Sequence, residues 1–258
     1  MNMVSCLKRI NILSVHISPI NMGDALSFID DLITHQDHQY ICVTPAHSIM
    51  DAYHDDGFRR ILNSSGLTTP DGMSVVWILK LQGHKEVDRV CGSDLMLAVC
   101  GYGTERHYRH YFYGGGPGVA EALASRLTDR FEDIQIAGIH SPPFRKLTDD
   151  EDQAEIEKIN STNPDIVWVG ISSPKQERWM AEHLGKIGAP VMIGVGAAFD
   201  FLSGKKPQAP RWIQRSGFEW LFRLATEPKR LWPRYRQYPL FVWLVLLQLL
   251  GLKEFPIE

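Results

Sequence analysis

The sequence has few cysteines and none of the spacings that form a metal site. Its four cysteines include no CxxC pair, its histidines are scattered, and the motifs HExxH, GxSxG and GK[ST] are absent. These absences argue against HExxH zinc proteases, hydrolases with a GxSxG nucleophile elbow and Walker-type phosphate loops. We expect reduced thiols in a cytosolic protein. The cysteines are Cys6, Cys42, Cys91 and Cys100.

The sequence also lacks an apolar run long enough to cross a bilayer. Its longest run, residues 240–252, reads LFVWLVLLQLLGL. As a helix rising ~1.5 Å per residue it spans roughly 20 Å, short of the ~30 Å hydrocarbon core. We expect it either to pack inside the protein or against a second subunit, or to lie flat in one leaflet. Lys8, Arg9 and Asn11 interrupt the N-terminal segment, so no secretory signal is predicted.

The 258 residues carry little net charge, but the charge is unevenly distributed. The total is −3, with 44% hydrophobic and 22% charged residues, which suits a globular fold and gives no overall attraction to nucleic acid. Residues 205–236 hold nine basic and only two acidic side chains, together with three tryptophans. A basic, Trp-rich block beside an apolar run favours contact with an anionic membrane surface.

Short apolar segments alternate with segments of helical pattern. The alternation predicts an α/β fold with a Rossmann-like, mostly parallel sheet and helices on both faces. We predict a catalytic domain over residues 1–204 and a helical, membrane-associating appendage over residues 205–258. Strands are predicted at 12–17, 40–43, 111–113, 134–139, 166–171 and 191–195, and helices at 23–34, 56–64, 74–81, 93–100, 118–130, 149–160, 175–184 and 212–225.

Four polar or glycine-rich loops follow predicted strands. YGGGPG (113–118) suits a phosphate at a helix N-terminus, or is only a tight turn. TTPDG (68–72) holds Asp71 at its tip, as a general base or as the cap of the next helix. In SSPKQER (172–178), N-capping explains the serines and the proline but not the other polar residues. In GVGAAFDF (194–201), Asp200 is a ribose ligand or a solvent-facing cap.

One string resembles a known metal-binding motif. Asp150 and Asp152 form the DxD pattern with which metal-dependent sugar transferases hold a cation. The string follows Thr148 and opens a predicted helix, where acidic residues interact favourably with the helix dipole. Capping explains it better than metal binding, so we predict no metal site.

Seven ordered stretches, covering nearly the whole chain, resemble the WecB/TagA/CpsF family of bacterial glycosyltransferases. They are VTP (43–45), LTTPDGMSVVW (67–77), RVCGSDLM (89–96), YFYGGGPGVAE (111–121), PDIVWVGISSPKQERWM (164–180), GVGAAFDFLSG (194–204) and APRWIQRSGFEWLFRLATEPKRLW (209–232).

This resemblance implies an activity and its partners. It implies an inverting transfer of a sugar, of N-acetylmannosamine type or another hexose, from a UDP-sugar to an undecaprenyl-diphosphate-linked acceptor in cell-surface polysaccharide or teichoic-acid synthesis. It implies no metal and no other cofactor, and a peripheral location on the inner face of the cell membrane. A homo-oligomer is left open, and no nucleic-acid partner is expected.

The resemblance also implies roles for individual residues. Asp71 matches the catalytic general base and Arg89 a contact to the diphosphate, whose charge an arginine can stabilise in place of a metal. The remaining expected substrate contacts come from the strand-end loops and the appendage; they are Thr44, Gly114, Gly116, Gln176, Asp200, Arg223 and Arg230. Two positions depart from the family pattern. Ala46 replaces an Asn, and Pro233 replaces an appendage Arg, with Arg234 beside it.

Two alternatives are left open. A nucleotide-dependent oxidoreductase would use the glycine turn and an acidic ribose ligand about 20 residues further on. Glu132 and Asp133 lie near that place but precede the next strand. The other alternative is a non-catalytic, membrane-bound module that binds a glycan or nucleotide, in which Asp71 and Arg89 are structural.

Overall fold

The computed structural model describes residues 8–256; residues 1–7, which include Cys6, and residues 257–258 lie outside this description. The described chain forms one six-stranded sheet, a short hairpin and thirteen helices. The elements in chain order are β1 (Ile10–Ile12), β2 (Val15–Ile17), α1 (Met22–His35), β3 (Gln39–Thr44), α2 (Ala46–His54), α3 (Asp56–Ser64), β4 (Leu67–Pro70), α4 (Met73–Leu81), α5 (Gly92–Thr104), β5 (Arg109–Gly114), α6 (Val119–Arg130), β6 (Gln135–His140), α7 (Asp149–Ser161), β7 (Ile166–Gly170), α8 (Lys175–His183), β8 (Val191–Gly194), α9 (Ala198–Leu202), α10 (Arg211–Arg215), α11 (Glu219–Thr226), α12 (Pro228–Tyr235) and α13 (Tyr238–Leu249).

The main sheet is parallel throughout and covered on both faces, as predicted. Its strand order is β4-β3-β8-β7-β5-β6, and each neighbouring pair is parallel. Side chains alternate between two hydrophobic clusters: Tyr40 and Cys42 enter one, Ile41 and Val43 the other. A strand buried on both faces must be apolar at successive positions, which accounts for the uniformly apolar strand segments.

The structure corrects several predicted boundaries. The segment 12–17 is not one strand, because Leu13 and Ser14 adopt positive φ and turn the chain between β1 and β2. The predicted helix 212–225 is divided by Gly217, whose φ is 81°, into α10 and α11. The short strand expected before the loop 68–72 was given no bounds; it is β4, which overlaps that segment and has only four residues, two of them threonine. Helix α2 was not among the predicted elements.

The C-terminal helices pack on the α/β body. Phe241, Leu244 and Val245 of α13 join the hydrophobic cluster on one face of the sheet. Gln248 accepts a hydrogen bond from the Leu13 backbone N–H and donates one to the Asn11 carbonyl. The opposite side of α13 stays exposed. Among residues 8–256, no helix combines the length and apolarity that a membrane crossing requires.

Candidate active site

A large cleft lies at the carboxyl edge of the sheet. Its volume is about 1870 Å³. Loops that follow β3, β4, β5, β7 and β8 line one side, and helices α10 to α13 line the other. Ligands of parallel α/β folds bind outside the carboxyl ends of the strands. The cleft is therefore the candidate active site, and the basic C-terminal segment forms one of its walls.

Asp71 follows β4 directly and faces this cleft. Its backbone N–H donates to the Thr44 carbonyl at 3.4 Å. Helix α4 begins after Gly72 and has no side-chain cap, so Asp71 does not cap it. The Asp71 side chain is 22% exposed. Burial raises the pKa of this carboxyl, while the positive charges of Arg89 and Arg223 act in the opposite direction. A carboxylate with a raised pKa is a stronger base.

Arg89 lies beside Asp71 because its loop is tied to β4. The Val90 N–H donates to the Pro70 carbonyl, and the Thr69 hydroxyl donates to the Val90 carbonyl. The Arg89 side chain is only 9% exposed, and its Nε lies 3.8 Å from Oδ1 of Asp71. The structure thus brings together the two residues that the sequence singled out for catalysis.

The terminal nitrogens of Arg89 are held by the C-terminal helices. Nη1 donates to Oε1 of Gln214 at 2.8 Å, and Nη2 donates to Oε2 of Glu219 at 2.5 Å. Burial raises the pKa of Glu219, and Arg89 opposes this shift. Sequence reasoning missed both partners. The available signal was that Glu219 is one of only two acidic residues between 205 and 236.

Three buried polar side chains in the cleft wall each have an atom without a hydrogen-bond partner. Nδ1 of His47, the hydroxyl of Ser48 and Oε1 of Gln176 have no hydrogen-bond partner. Burial lowers the pKa of His47 to about 3, assisted by nearby arginines, so this imidazole is neutral. Unpaired buried polar groups are costly in a folded protein, and a ligand in the cleft would satisfy them. Ala46 lies next to them at the start of α2.

The predicted contacts Thr44 and Gly114 lie behind the cleft surface. Thr44 is fully buried, and its hydroxyl donates to the Cys42 carbonyl. Gly114 has a φ of 134°, and a Cβ there would lie 2.6 Å from the backbone of Gly170. This glycine permits a close approach of two strands, whereas Gly116 lines the cleft itself.

Asp200 and Arg230 are linked through two other residues. Nζ of Lys206 lies 2.8 Å from Asp200 and 3.1 Å from Glu227. Glu227 accepts two hydrogen bonds from Arg230, both of 2.6 Å. This chain of charges joins the loop after β8 to α12, so the cleft-lining Asp200 already has a cationic partner.

Arg223 is the exception among the predicted arginines. No described residue forms an ion pair with it, and its buried Nε has no hydrogen-bond partner. Its guanidinium carbon lies 5.4 Å from the ring centre of Phe201. Arg234 also faces the cleft, and its Nη2 donates to the Ser173 carbonyl at 2.7 Å. The positive charge of Arg223 is therefore available to an anion.

Comparison with known proteins gives the family of this chain. The sequence model of the glycosyl transferase WecG/TagA/CpsF family matches residues 10–254. The chain belongs to this family. The chain is similar to proteins named N-acetylglucosaminyldiphosphoundecaprenol N-acetyl-β-D-mannosaminyltransferase from Bacillus spizizenii (strain W23), at 31% identity over 88% of this chain and 90% of the relative, and from Bacillus subtilis (strain 168), at 29% over 90% of each. A Staphylococcus aureus (strain NCTC 8325) protein of the same name is 27% identical over 72% of this chain and 71% of the relative.

The family assignment decides against the oxidoreductase alternative. The chain is a glycosyltransferase. Glu132 and Asp133 are exposed in the turn before β6, at the amino end of that strand. That end is opposite to the cleft of this glycosyltransferase.

The DxD string of the glycosyltransferase lies in the first turn of α7. Thr148 and Glu151 form a capping box there. Asp152 accepts a hydrogen bond from Nε2 of His183 at 3.1 Å. Within residues 8–256, no cluster of three or more His, Cys, Asp or Glu side chains is placed to hold a metal ion.

Proposed function

We propose that this glycosyltransferase moves a sugar from a UDP-sugar to a polyprenyl-diphosphate-linked acceptor, with inversion and without a metal. The observation that supports the proposal most is the position of Asp71. This carboxylate caps no helix, is partly exposed in the cleft and lies beside Arg89. The relatives' name gives an N-acetylglucosaminyl-diphosphoundecaprenol acceptor, and we propose the same acceptor class here.

In the proposed reaction Asp71 is the general base. An acceptor hydroxyl gives its proton to the carboxylate while its oxygen bonds to the anomeric carbon of the donor sugar. The bond from that carbon to the diphosphate breaks, and its electron pair leaves on the phosphate oxygen as UDP. A single displacement from the opposite side inverts the anomeric centre. Burial, which raises the pKa of Asp71, favours this role.

The leaving diphosphate needs fixed positive charge. Arg223 has the clearest capacity, because it lines the cleft without an ion-pair partner. Arg230 and Arg234 lie on the same wall. Arg89 would contact the diphosphate through a terminal nitrogen only after releasing Gln214 or Glu219. We therefore propose Arg223 as the main diphosphate ligand and Arg89 as a nearby positive charge.

The sugar rings require neutral polar contacts. The unpartnered atoms of His47, Ser48 and Gln176 supply both donors and acceptors for hydroxyl or acetamido groups. A neutral His47 suits such a contact better than a charged one. With Ala46 in place of the family's Asn, we propose that these side chains select the sugar.

The lipid part of the acceptor implies a membrane surface near the cleft. Large apolar side chains are exposed on the C-terminal helices, including Trp212 (72%) and Trp243 (59%). Basic residues lie between them in sequence, as in segments that lie in the interface of anionic bilayers. We propose that this surface rests on the inner face of the cell membrane and that the occupant is lipid rather than a second subunit.

A thermal-shift experiment tests the donor class. The protein is heated with UDP, UDP-N-acetylmannosamine, UDP-glucose or NAD, each with and without EDTA. A ligand at a hundred times its Kd stabilises the fold by about 2.7 kcal/mol, which is easily detected. Stabilisation by UDP or one UDP-sugar, unaffected by EDTA, supports the proposal. Stabilisation by NAD alone contradicts it.

A further inference from the structure

The guanidinium of Arg89 lies between two carboxylates from different parts of the chain, those of Asp71 and Glu219. Its terminal nitrogens donate to Gln214 of α10 and Glu219 of α11, at 2.8 and 2.5 Å. Its Nε, which has no hydrogen-bond partner, faces Asp71 at 3.8 Å. Asp71 therefore lies next to a cation without forming a hydrogen bond to its terminal nitrogens.

This geometry differs from the usual arginine–carboxylate pair. Arginine and carboxylate groups commonly form two parallel N–H···O bonds, which is the stronger arrangement. Such a pair between Arg89 and Asp71 would occupy both carboxylate oxygens and lower their basicity. Here the C-terminal helices occupy the nitrogens that would make it.

We propose that Glu219 is a positioning residue that, with Gln214, holds Arg89 in an orientation that leaves the Asp71 carboxylate free to accept a proton. The inference rests on the proposed role of Asp71 as general base. It gives the C-terminal helices a part in catalysis through contacts inside the protein, because α10 and α11 supply the Gln214 and Glu219 side chains that hold Arg89.

The groups around Asp71 set the direction of the expected effect. The charged and titratable groups that interact with it are Arg89, Cys91, Asp94, Glu219, Arg223, Tyr235 and Tyr238. Glu219 places a negative charge near Asp71, and its ion pair with Arg89 partly neutralises the positive charge of that guanidinium. Its neutralisation favours the ionised form of Asp71 on both counts, so the pKa of Asp71 must fall.

The direct test measures the Asp71 titration without relying on turnover. The protein is labelled with ¹³C at aspartate carboxyl groups, and the Asp71 signal is assigned by its loss in Asp71→Asn. We expect the titration to move to lower pH in Glu219→Gln and to stay closer to wild type in Glu219→Asp, which keeps the charge. The matched control is Glu157→Gln, at an exposed position on α7, which should leave the titration unchanged.

The same titration in an Arg89→Gln protein distinguishes an effect of Glu219 through Arg89 from a direct effect of its charge on Asp71. If Glu219 acts through the guanidinium, Glu219→Gln shifts the Asp71 titration less in an Arg89→Gln protein than in wild type. An unchanged titration in Glu219→Gln, or the same shift in both backgrounds, overturns the proposal.

Turnover then distinguishes this inference from the proposed function. We expect Glu219→Gln to lower kcat about tenfold, less than the loss on removing the base itself. Its acidic pH limb should move to lower pH together with the titration. A wild-type protein that transfers no sugar contradicts the proposed function, whereas wild-type transfer with an unmoved titration in Glu219→Gln contradicts only the role of Glu219.

Discussion

Oδ1 of Asp71 and Nε of Arg89 lie 3.8 Å apart at the carboxyl edge of the sheet. The two residues are separated by helix α4 in the chain and are brought together because the loop after α4 returns to the end of β4. Their contact places a carboxylate of raised pKa next to a buried cation, in a cleft partly lined by the C-terminal helices.

Asp71→Asn should fold normally and lose at least ~100-fold in kcat, the lower range for removal of a general base. Binding of the UDP-sugar should survive, because the amide keeps the shape of the side chain. Steady-state kinetics and a thermal shift with UDP measure the two effects. Asp129→Asn, on the exposed side of α6, is the matched control. Activity near wild type in Asp71→Asn would favour the alternative of a structural aspartate.

The rate should fall at acidic pH as Asp71 is protonated. Burial raises the pKa of this carboxyl, so the fall should begin at higher pH than for an ordinary aspartate, whose pKa is about 3.9. His47 is already neutral and should contribute no step near pH 6.5. A profile of kcat/KM against pH tests both the acidic limb expected from Asp71 and the absence of a step from His47. Persistence of the acidic limb in the residual activity of Asp71→Asn would assign it to another group.

Arg223→Ala should lower kcat by roughly 10²- to 10³-fold, the range for loss of one preorganised charge-stabilising group. The fold should be little affected, since no described residue depends on Arg223 for an ion pair. Kinetics measured with a short-chain lipid-linked acceptor avoid any contribution from membrane binding. Arg60→Ala, at an exposed position on α3, is the control. An equal, small effect of the two substitutions would show that the diphosphate is held elsewhere.

Trp212→Ser and Trp243→Ser together should weaken binding to vesicles of anionic lipid at least tenfold, with little change in Tm. Both side chains are exposed, so their replacement removes no core contact. Co-sedimentation with anionic and with uncharged vesicles measures the effect, and Leu184→Ser serves as the apolar-to-polar control. Unchanged vesicle binding, with a dimer lost on substitution, would assign the surface to a second subunit. Truncation after residue 204 is a poorer test, because it also removes Phe241, Leu244 and Val245 from the core.

Addition of EDTA should leave the transfer rate unchanged. The proposed mechanism stabilises the leaving UDP with arginine, and Asp152 of the DxD string already pairs with His183. Rates measured before and after chelation, and again with added Mg²⁺ or Mn²⁺, test this. Inhibition by EDTA that is reversed by either ion would restore the DxD string as a metal site.

Much of the fold was predictable because buried parallel strands have a distinctive composition. The segments 165–171 and 190–195 are apolar at nearly every position, and they became the central strands β7 and β8. The two-residue turn at Leu13 and Ser14 carries no glycine or proline signal, so the hairpin was missed. The break at Gly217 lies within a segment whose pattern is otherwise helical, and only its positive φ divides α10 from α11.

The sequence allowed the residues of the site to be predicted better than the contacts between them. Asp71 was identified from a local motif and from the resemblance, Arg89 from the resemblance alone, and the structure brings the two together. The pairing of Arg89 with Gln214 and Glu219 spans 125 and 130 residues of sequence, and no local pattern specifies it. Likewise, Thr44 and Gly114 were expected in the cleft, but in the structure both lie behind its surface. The path of the backbone decides this, and local sequence does not reveal it.

The most direct test of the central claim is sugar transfer to a defined lipid acceptor. Purified protein is incubated with UDP-N-acetylmannosamine or another UDP-hexose and a short-chain N-acetylglucosaminyl-diphospho-lipid, in EDTA, and the lipid is analysed by mass spectrometry. We predict that the acceptor gains one sugar residue with wild-type protein, and that Asp71→Asn forms the product at least ~100-fold more slowly. No mass increase with any UDP-sugar, or equal product with both proteins, would contradict the account.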